Sequence, residues 1–405
     1  MHILARHYYD EFLATPQLVR FDFAEGDNGR EPTLLLKGST VLLKYVILGA
    51  SMRLRIALLQ GRLLYGLDIS DDSTKPVVVW SAMEREEERL ALLGIAEGEE
   101  LQIFIFNELA VNVAWSSSSI KAHHELAEMV NNAQLGGVDY ECIKEEAAAM
   151  FDRALGGNGG GEEWVLIPIQ NRQNWKAVKN FYITNQINSC PVHIFDSDEG
   201  GQQENLAVWL TDNLHPRGAY ASPQIPKGSG GLRELTDVML THEFGAFVVE
   251  SKALTILGRD SIPNRDRLAR NVAGHIKKAS SQLRGAIREL KRGRPVQSAA
   301  GELIAVEREF PIHAIVLIPE FDLVDERENF GIEAIRSFTS DTGGFLHILD
   351  IAELLRIVQA SEAIAERGDK TTPMMAFDYY LMERWKYCVE AETLLIHVLL
   401  RFEDE

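Results

Sequence analysis

The chain has 405 residues, with 41 Lys and Arg against 60 Asp and Glu, and a formal net charge of −19 when its 11 histidines are neutral. This length predicts two or three domains, and 46% hydrophobic with 25% charged residues excludes wholesale disorder. The acidic balance excludes a surface coated in cations, although not a basic site confined to one element.

No apolar run reaches the length of a membrane span, and the start, MHILARHYYDEF, has no apolar signal-sequence core. A soluble cytoplasmic protein is expected. The cysteines Cys142, Cys190 and Cys388 lie far apart with no CxxC pair, which excludes a cysteine zinc ribbon and fits a reduced compartment.

In chain order, residues 1–120 read mainly as strands. TLLLKGSTVLLKYVILGA, MRLRIALLQGRLLYGLDI, KPVVVWSA and ELQIFIFNELAVNVAWSSSS are rich in β-branched and aromatic residues and are separated by turn signals. A charged helix over 83–94 interrupts them, and helices over 120–132 and 140–155 follow. GGNGGG at 156–161 reads as a linker. Beyond it, short apolar runs alternate with amphipathic helices, which is α/β patterning. Strands are predicted at 164–169, 191–196, 234–240, 246–254 and 312–319, and helices at 204–213 and about 265–292. FLHILD and IAELLRIVQ then form a strand–helix pair. The closing PMMAFDYYLMERWKYCVEAETLLIHVLL is helical with large apolar residues on several sides, which predicts packing on another domain or subunit. The fold class is thus α+β: a β-rich domain over 1–155, an α/β domain with a central mixed sheet over 162–360, and a helical extension over 361–405.

The stretch GLRELTDVMLTHEFGAFVVESKAL, 231–254, carries the chemistry. Strand alternation places Glu250 and Lys252 on one face. If His242 to Gly245 supply a hairpin turn, the returning strand brings Asp237 near Glu250. Two carboxylates beside an ammonium suit Mg²⁺ or Mn²⁺, which stabilises charge on a phosphate oxygen and lowers the pKa of a bound water. Charges inside so apolar a strand need a reason to be there. Glu234, three residues before Asp237, falls on the opposite strand face and is a secondary candidate.

These residues resemble the PD-(D/E)xK nuclease superfamily, whose core is the restriction-endonuclease-like fold, and their order resembles its resolvase-like members. The likeness covers about 200–360. It identifies Asp237 with the strand aspartate and Glu250-Ser251-Lys252 with the (D/E)xK. Glu204, in QQENLAVWLTDNL, fits the acidic residue of a preceding helix, and Gln282, in KKASSQLRGAIREL, fits a glutamine on a following one. Thr236 stands where the motif has proline, and Ala286 where an aromatic residue follows the glutamine. The resemblance implies Mg²⁺ held by Glu204, Asp237, Glu250 and the Ser251 carbonyl. Lys252 would assist the attacking water, with Gln282 positioning that lysine or a phosphate. It implies cleavage of phosphodiester bonds, in DNA, in restriction, repair or defence against mobile DNA.

Residues 261–294 hold ten cations against Asp266 and Glu289. Val272, Ile276, Ala279, Leu283, Ala286 and Leu290 recur at helical spacing as a core stripe, leaving Lys277, Lys278, Arg284 and Arg288 available for phosphates. The competing reading is a solvated helix paired with acidic elements such as EREEER. Two other function classes stay open. One is an inactive nuclease-fold protein serving as a nucleic-acid-binding or assembly module. The other is a cysteine hydrolase using Cys190, with His193 nearby in sequence. His123 and His124 diverge on a helix and read as surface residues. A homo-oligomer formed through the N-terminal domain or the C-terminal helix is a further expectation.

Overall fold

A computed structural model describes residues 6–26, 29–70, 76–135, 140–155, 164–171, 174–182, 190–228, 230–254, 256, 263–324, 331–368, 370–394 and 396. The chain is mixed α/β and divides into two compact units, one running essentially to Asn180 and the other made of the remainder.

The first unit is built on a nine-stranded mixed sheet. Its path runs Leu18–Gly26, Gly29–Lys37, Glu100–Phe106, Asn112–Ser119, Val165–Asn171, Met52–Leu59, Arg62–Ile69, Val77–Ala82, and Lys176–Ala177 pairs off this path with Asn112–Ser119. The pairing of Gly29–Lys37 with Glu100–Phe106 is parallel. The tract after Lys37, expected as strand, turns into the helix Thr40–Ile47. Ser39 caps it by accepting the Leu42 N–H at 3.2 Å. Val41, Leu42, Leu43, Tyr45 and Val46 are all buried, and a helix buried on every side shows the same unbroken apolar run as a strand. The charged helix runs Glu86–Glu97, three residues later than its pattern suggested. One acid of EREEER, Glu88, is fully buried and meets Arg20 at 3.2 Å and the Tyr65 hydroxyl at 2.7 Å.

Val165–Asn171, expected to open the second domain, pairs instead with Met52–Leu59 and Asn112–Ser119. The first unit therefore continues past the Gly-rich tract, because the strand's inward residues, Val165, Ile167 and Ile169, complete the core of that sheet. Residues 156–161 themselves lie outside the described residues.

In the second unit, elements are numbered separately. A five-stranded sheet runs β1 (Gly218–Ala221), β2 (Val238–His242), β3 (Gly245–Ser251), β4 (His313–Ile318), β5 (Phe345–Asp350). The first three strands are antiparallel neighbours, and β4 and β5 then pair in parallel. A parallel step requires a crossover. Helix α2 (Arg265–Lys291) supplies it between β3 and β4, and α3 (Ile332–Thr342) between β4 and β5; these two pack on each other. Helix α1 (Glu199–Asp212) precedes the sheet, and α4 (Ile351–Arg367) packs on it and on α5 (Pro373–Ala391).

The C-terminal helix is not an appendage. Met374, Ala376, Phe377, Leu381 and Cys388 of α5 are buried, and Phe377 packs on Phe247 of β3 with ring centroids 5.2 Å apart. Its buried residues serve this unit, whereas Met375, Tyr379 and Tyr387 are exposed. PVHIFD yields only the short strand Cys190–Val192. Among the described residues no helix is long and apolar enough to cross a membrane.

Candidate metal and phosphate site

The hairpin forms the site's base. His242 pairs with Gly245, leaving Glu243 and Phe244 as a two-residue turn. Gly245 has φ +146°, a conformation that a side chain disfavours. The register carries Val238 opposite Val249, so Asp237, at a bend just before β2, lies beside the end of β3. Asp237 is held from both ends. Its carbonyl accepts the Ser222 N–H at 2.7 Å, and its Oδ2 accepts the Ser251 N–H at 2.7 Å. Thr236 donates its hydroxyl to the Val249 carbonyl at 2.7 Å, pinning the bend to β3.

The strand expected over 234–240 is broken there. Leu232–Glu234 belongs to a separate four-stranded sheet, and Leu235 donates to the Pro223 carbonyl at 2.8 Å as the chain passes into β2. Glu234 is therefore not on the opposite face of Asp237's strand. It is exposed in its own strand and reaches the site through its charge alone.

Lys252 follows the last residue of β3, and its backbone N–H donates to the Leu317 carbonyl of β4 at 2.8 Å. Alternation keeps its side chain with Glu250. The Nζ lies 2.7 Å from Glu250 Oε2 and 3.1 Å from Asp237 Oδ2. Helix α1 joins the same place. Glu199 accepts the Ile256 N–H at 3.0 Å, and Gln203 donates to the Leu317 carbonyl at 3.3 Å. Both Gln203 and the Lys252 backbone thus hold one carbonyl, and Glu204 is the next residue of α1.

Electrostatically, one ammonium faces an excess of carboxylates. Glu250 is 2% exposed; burial, then repulsion from Asp237, raise it to about 7 against the pull of Lys252. Glu204 rises to about 7 through burial, then Asp237 and Glu234. It makes no hydrogen bond or ion pair among the described residues. Burial works against the Lys252 charge, but Glu250 and Asp237 overcome it and hold that group above the ordinary lysine range.

Ser251, which ends β3, is at the site: its N–H donates to Asp237, and its Oγ is buried without a partner. Not every expected residue reaches it. Gln282 is exposed on α2 with no hydrogen bond among the described residues. The residue of α2 that senses Lys252 is His275, kept below the usual imidazole range by burial and by the Lys252 and Lys278 cations. Its Nδ1 is buried without a partner. His275 precedes Gln282 by seven residues and so shares its helical side, two turns nearer the helix start.

The core stripe of α2 is as spaced: Val272, Ile276, Ala279, Leu283, Ala286 and Leu290 are all buried. Lys277, Lys278 and Arg288 are exposed with no ion pair among the described residues. Arg284 is committed elsewhere, 3.5 Å from Asp341 and stacked over Phe338. Cys190 is buried, and burial pushes its thiol up to about 11, opposite to what an activated nucleophile requires. His124 pairs with Glu128 at 3.4 Å on an exposed helical face.

Among the described residues no group of three His, Cys, Asp or Glu side chains is placed to hold a metal ion, and the Lys252 ammonium is hydrogen-bonded to both strand carboxylates. The donor chemistry nevertheless suits a hard cation. Asp237 Oδ1 and Glu250 Oε1 accept no hydrogen bond among the described residues, and Glu204 makes no ion pair there, feeling Lys252 only at longer range. No family model, no curated protein and no solved structure matches the chain.

Proposed function

We propose that the second unit is a metal-dependent nuclease of PD-(D/E)xK type, cleaving phosphodiester bonds in DNA. The observation that carries this reading is the convergence of Asp237 and Glu250 on Lys252 at the end of β3, with Glu204 a further carboxylate that makes no ion pair among the described residues. A mixed sheet flanked by helices, an acidic helix before the hairpin and a basic one after it support a restriction-endonuclease-like core.

Asp237, Glu250 and Glu204 would hold Mg²⁺ or Mn²⁺, with the Ser251 carbonyl a further oxygen. The ion would supply Lewis-acid stabilisation of a phosphoryl oxygen and a more acidic water. Lys252, kept charged by its carboxylate neighbours, orients the attacking water or stabilises the charge that develops on the phosphate. Lys277, Lys278 and Arg288 fix the nucleic-acid backbone without reading sequence.

Plasmid, linear and single-stranded DNA incubated with Mg²⁺ or Mn²⁺ test the proposal. Lys252→Ala is expected to lower the cleavage rate by about 10²-fold or more, the scale of one lost electrostatic group. Cleavage that persists in both Lys252→Ala and Glu250→Ala would remove the site assignment. Metal-dependent DNA binding without cleavage would favour a binding or assembly role for the same fold.

A further inference from the structure

The end of α2 meets the small four-stranded sheet, which runs Leu232–Glu234, Gln224–Pro226, Val296–Gln297, Leu303–Ile304. Cations collect at this junction. Arg233, Arg292 and Arg294 stand 3.7, 3.2 and 2.6 Å from the Glu289 carboxylate. Arg308 donates to the Leu290 and Arg294 carbonyls at 3.2 and 2.8 Å.

A helix end attracts cations for its own stability, and Arg308 meets that need by holding a carbonyl of the last turn of α2. Neither Arg233 nor Arg292 bonds a carbonyl of α2 among the described residues. Three guanidinium groups instead share one carboxylate, and no other carboxylate pairs with them among the described residues, so the trio keeps a net charge of +2. Their side chains are 45%, 66% and 38% exposed against 14% for Glu289. The more buried acid fixes the guanidinium groups, while donors of the Arg233 and Arg292 forks stay open for a phosphate.

The cluster also joins two parts of the site already described. The Arg292 N–H bonds to the Arg288 carbonyl at 3.1 Å, so Arg292 continues the helical side of Arg288, itself three turns beyond Lys277. Arg233 and Glu234 are strand neighbours whose side chains take opposite faces. One short strand thus turns a cation to the end of α2 and a carboxylate whose charge Glu204 and Glu250 both feel.

We propose that this junction is a second phosphate-binding surface, at which Arg233, Arg292 and Arg294 grip the backbone of duplex DNA and extend the track of Lys277, Lys278 and Arg288. The proposal rests on the nuclease reading for the identity of the polyanion. Contacts of this kind set the position of the duplex and do not read its sequence.

Fluorescence anisotropy of the full chain with a labelled duplex in Ca²⁺, at several salt concentrations, tests it. The double variant Arg233→Gln, Arg292→Gln is expected to bind about tenfold more weakly at physiological salt, with the salt slope lower by roughly 0.9 for each phosphate no longer neutralised. Its melting temperature should be unchanged, and with Mg²⁺ its KM for DNA should rise while kcat stays, because these groups lie away from the reacting phosphate. Should the double variant fail to fold, Arg292→Glu, at the most exposed of the three side chains, decides by the same affinity and slope. Unchanged affinity and slope would remove this surface, and cleavage by the wild type would then leave the nuclease reading in place. A wild type that binds the duplex without cutting it, with binding still weakened in the double variant, would overturn the nuclease reading and keep the surface. A wild type that does not bind the duplex overturns both.

Discussion

Glu204 and Glu250 are the residues whose protonation the fold has altered most usefully. Both are raised to about 7 by burial and by neighbouring carboxylates, so near neutral pH the native state binds protons that the unfolded chain has released. Stability therefore falls as pH rises from the ordinary carboxylate range through about 7, the reverse of a salt-bridged acid. Glu204→Gln isolates the effect, since Glu204 has no ion pair to lose among the described residues. It is expected to stabilise the protein at pH 8 by roughly 1 kcal/mol, discounted because the carboxylate is partly exposed. The gain should vanish near pH 5, and melting curves at the two pH values check it.

The same residues would make the proposed metal binding a proton-releasing event. Mg²⁺ is expected to displace about one proton per ion near pH 7. Calorimetry in two buffers of different ionisation enthalpy measures this release. No release, together with no Mg²⁺-dependent rise in melting temperature, would count against a metal at these carboxylates.

At the scale of elements, α2 joins a buried stripe to a face of exposed cations. Replacing Lys277, Lys278 and Arg288 together by Gln is expected to weaken DNA binding at every sequence. It should also lower the slope of log affinity against log salt by roughly 0.7–0.9 for each phosphate that is no longer neutralised. Binding measured at several salt concentrations checks this. An unchanged slope would place the DNA elsewhere.

This helix is also the most legible element in the sequence, because its apolar period persists from Leu268 to Leu290 and nothing else explains it. The hairpin is legible for a related reason: two apolar runs flank one polar turn. The break between Glu234 and Val238 has no such signal. Leu235 and Thr236 continue the apolar-polar pattern, yet their hydrogen bonds go to Pro223 and Val249, partners distant in the chain. The motif points to Gln282 and not to His275, since only packing shows which turn of a long helix lies over the strand ends. Likewise Val165–Asn171 looks the same from sequence whichever sheet it joins.

For the whole molecule, the charge of −19 is unevenly placed. The first unit buries part of its acidity. Glu88 takes Arg20, the Tyr65 hydroxyl and the Glu84 and Arg85 N–H groups at 2.6 and 3.0 Å. Glu88→Ala would take the acceptor from the buried Tyr65 hydroxyl and the two backbone N–H groups, while Arg20 keeps Glu11 and the Ala82 carbonyl, at a cost of about 3 kcal/mol. A scanning calorimeter should record a melting point lower by roughly 6–12 °C for the first unit. Cleavage by the second unit at room temperature should be unaffected if the two units are independently stable.

The hydrogen bond from the Lys252 backbone to Leu317 spans 65 positions, and Gln203 uses the same carbonyl. Every proposed active-site and DNA-contacting residue lies before position 312, but the strand that fixes Lys252 comes after it. A ribosome that has delivered only the first 300 or so residues has made every such group without the geometry that aligns them. Activity should thus appear late in synthesis, once β4 has emerged and docked. A chain ending near position 305 is expected to be silent in the DNA assay, which offers the cell a measure of protection from its own unfinished product.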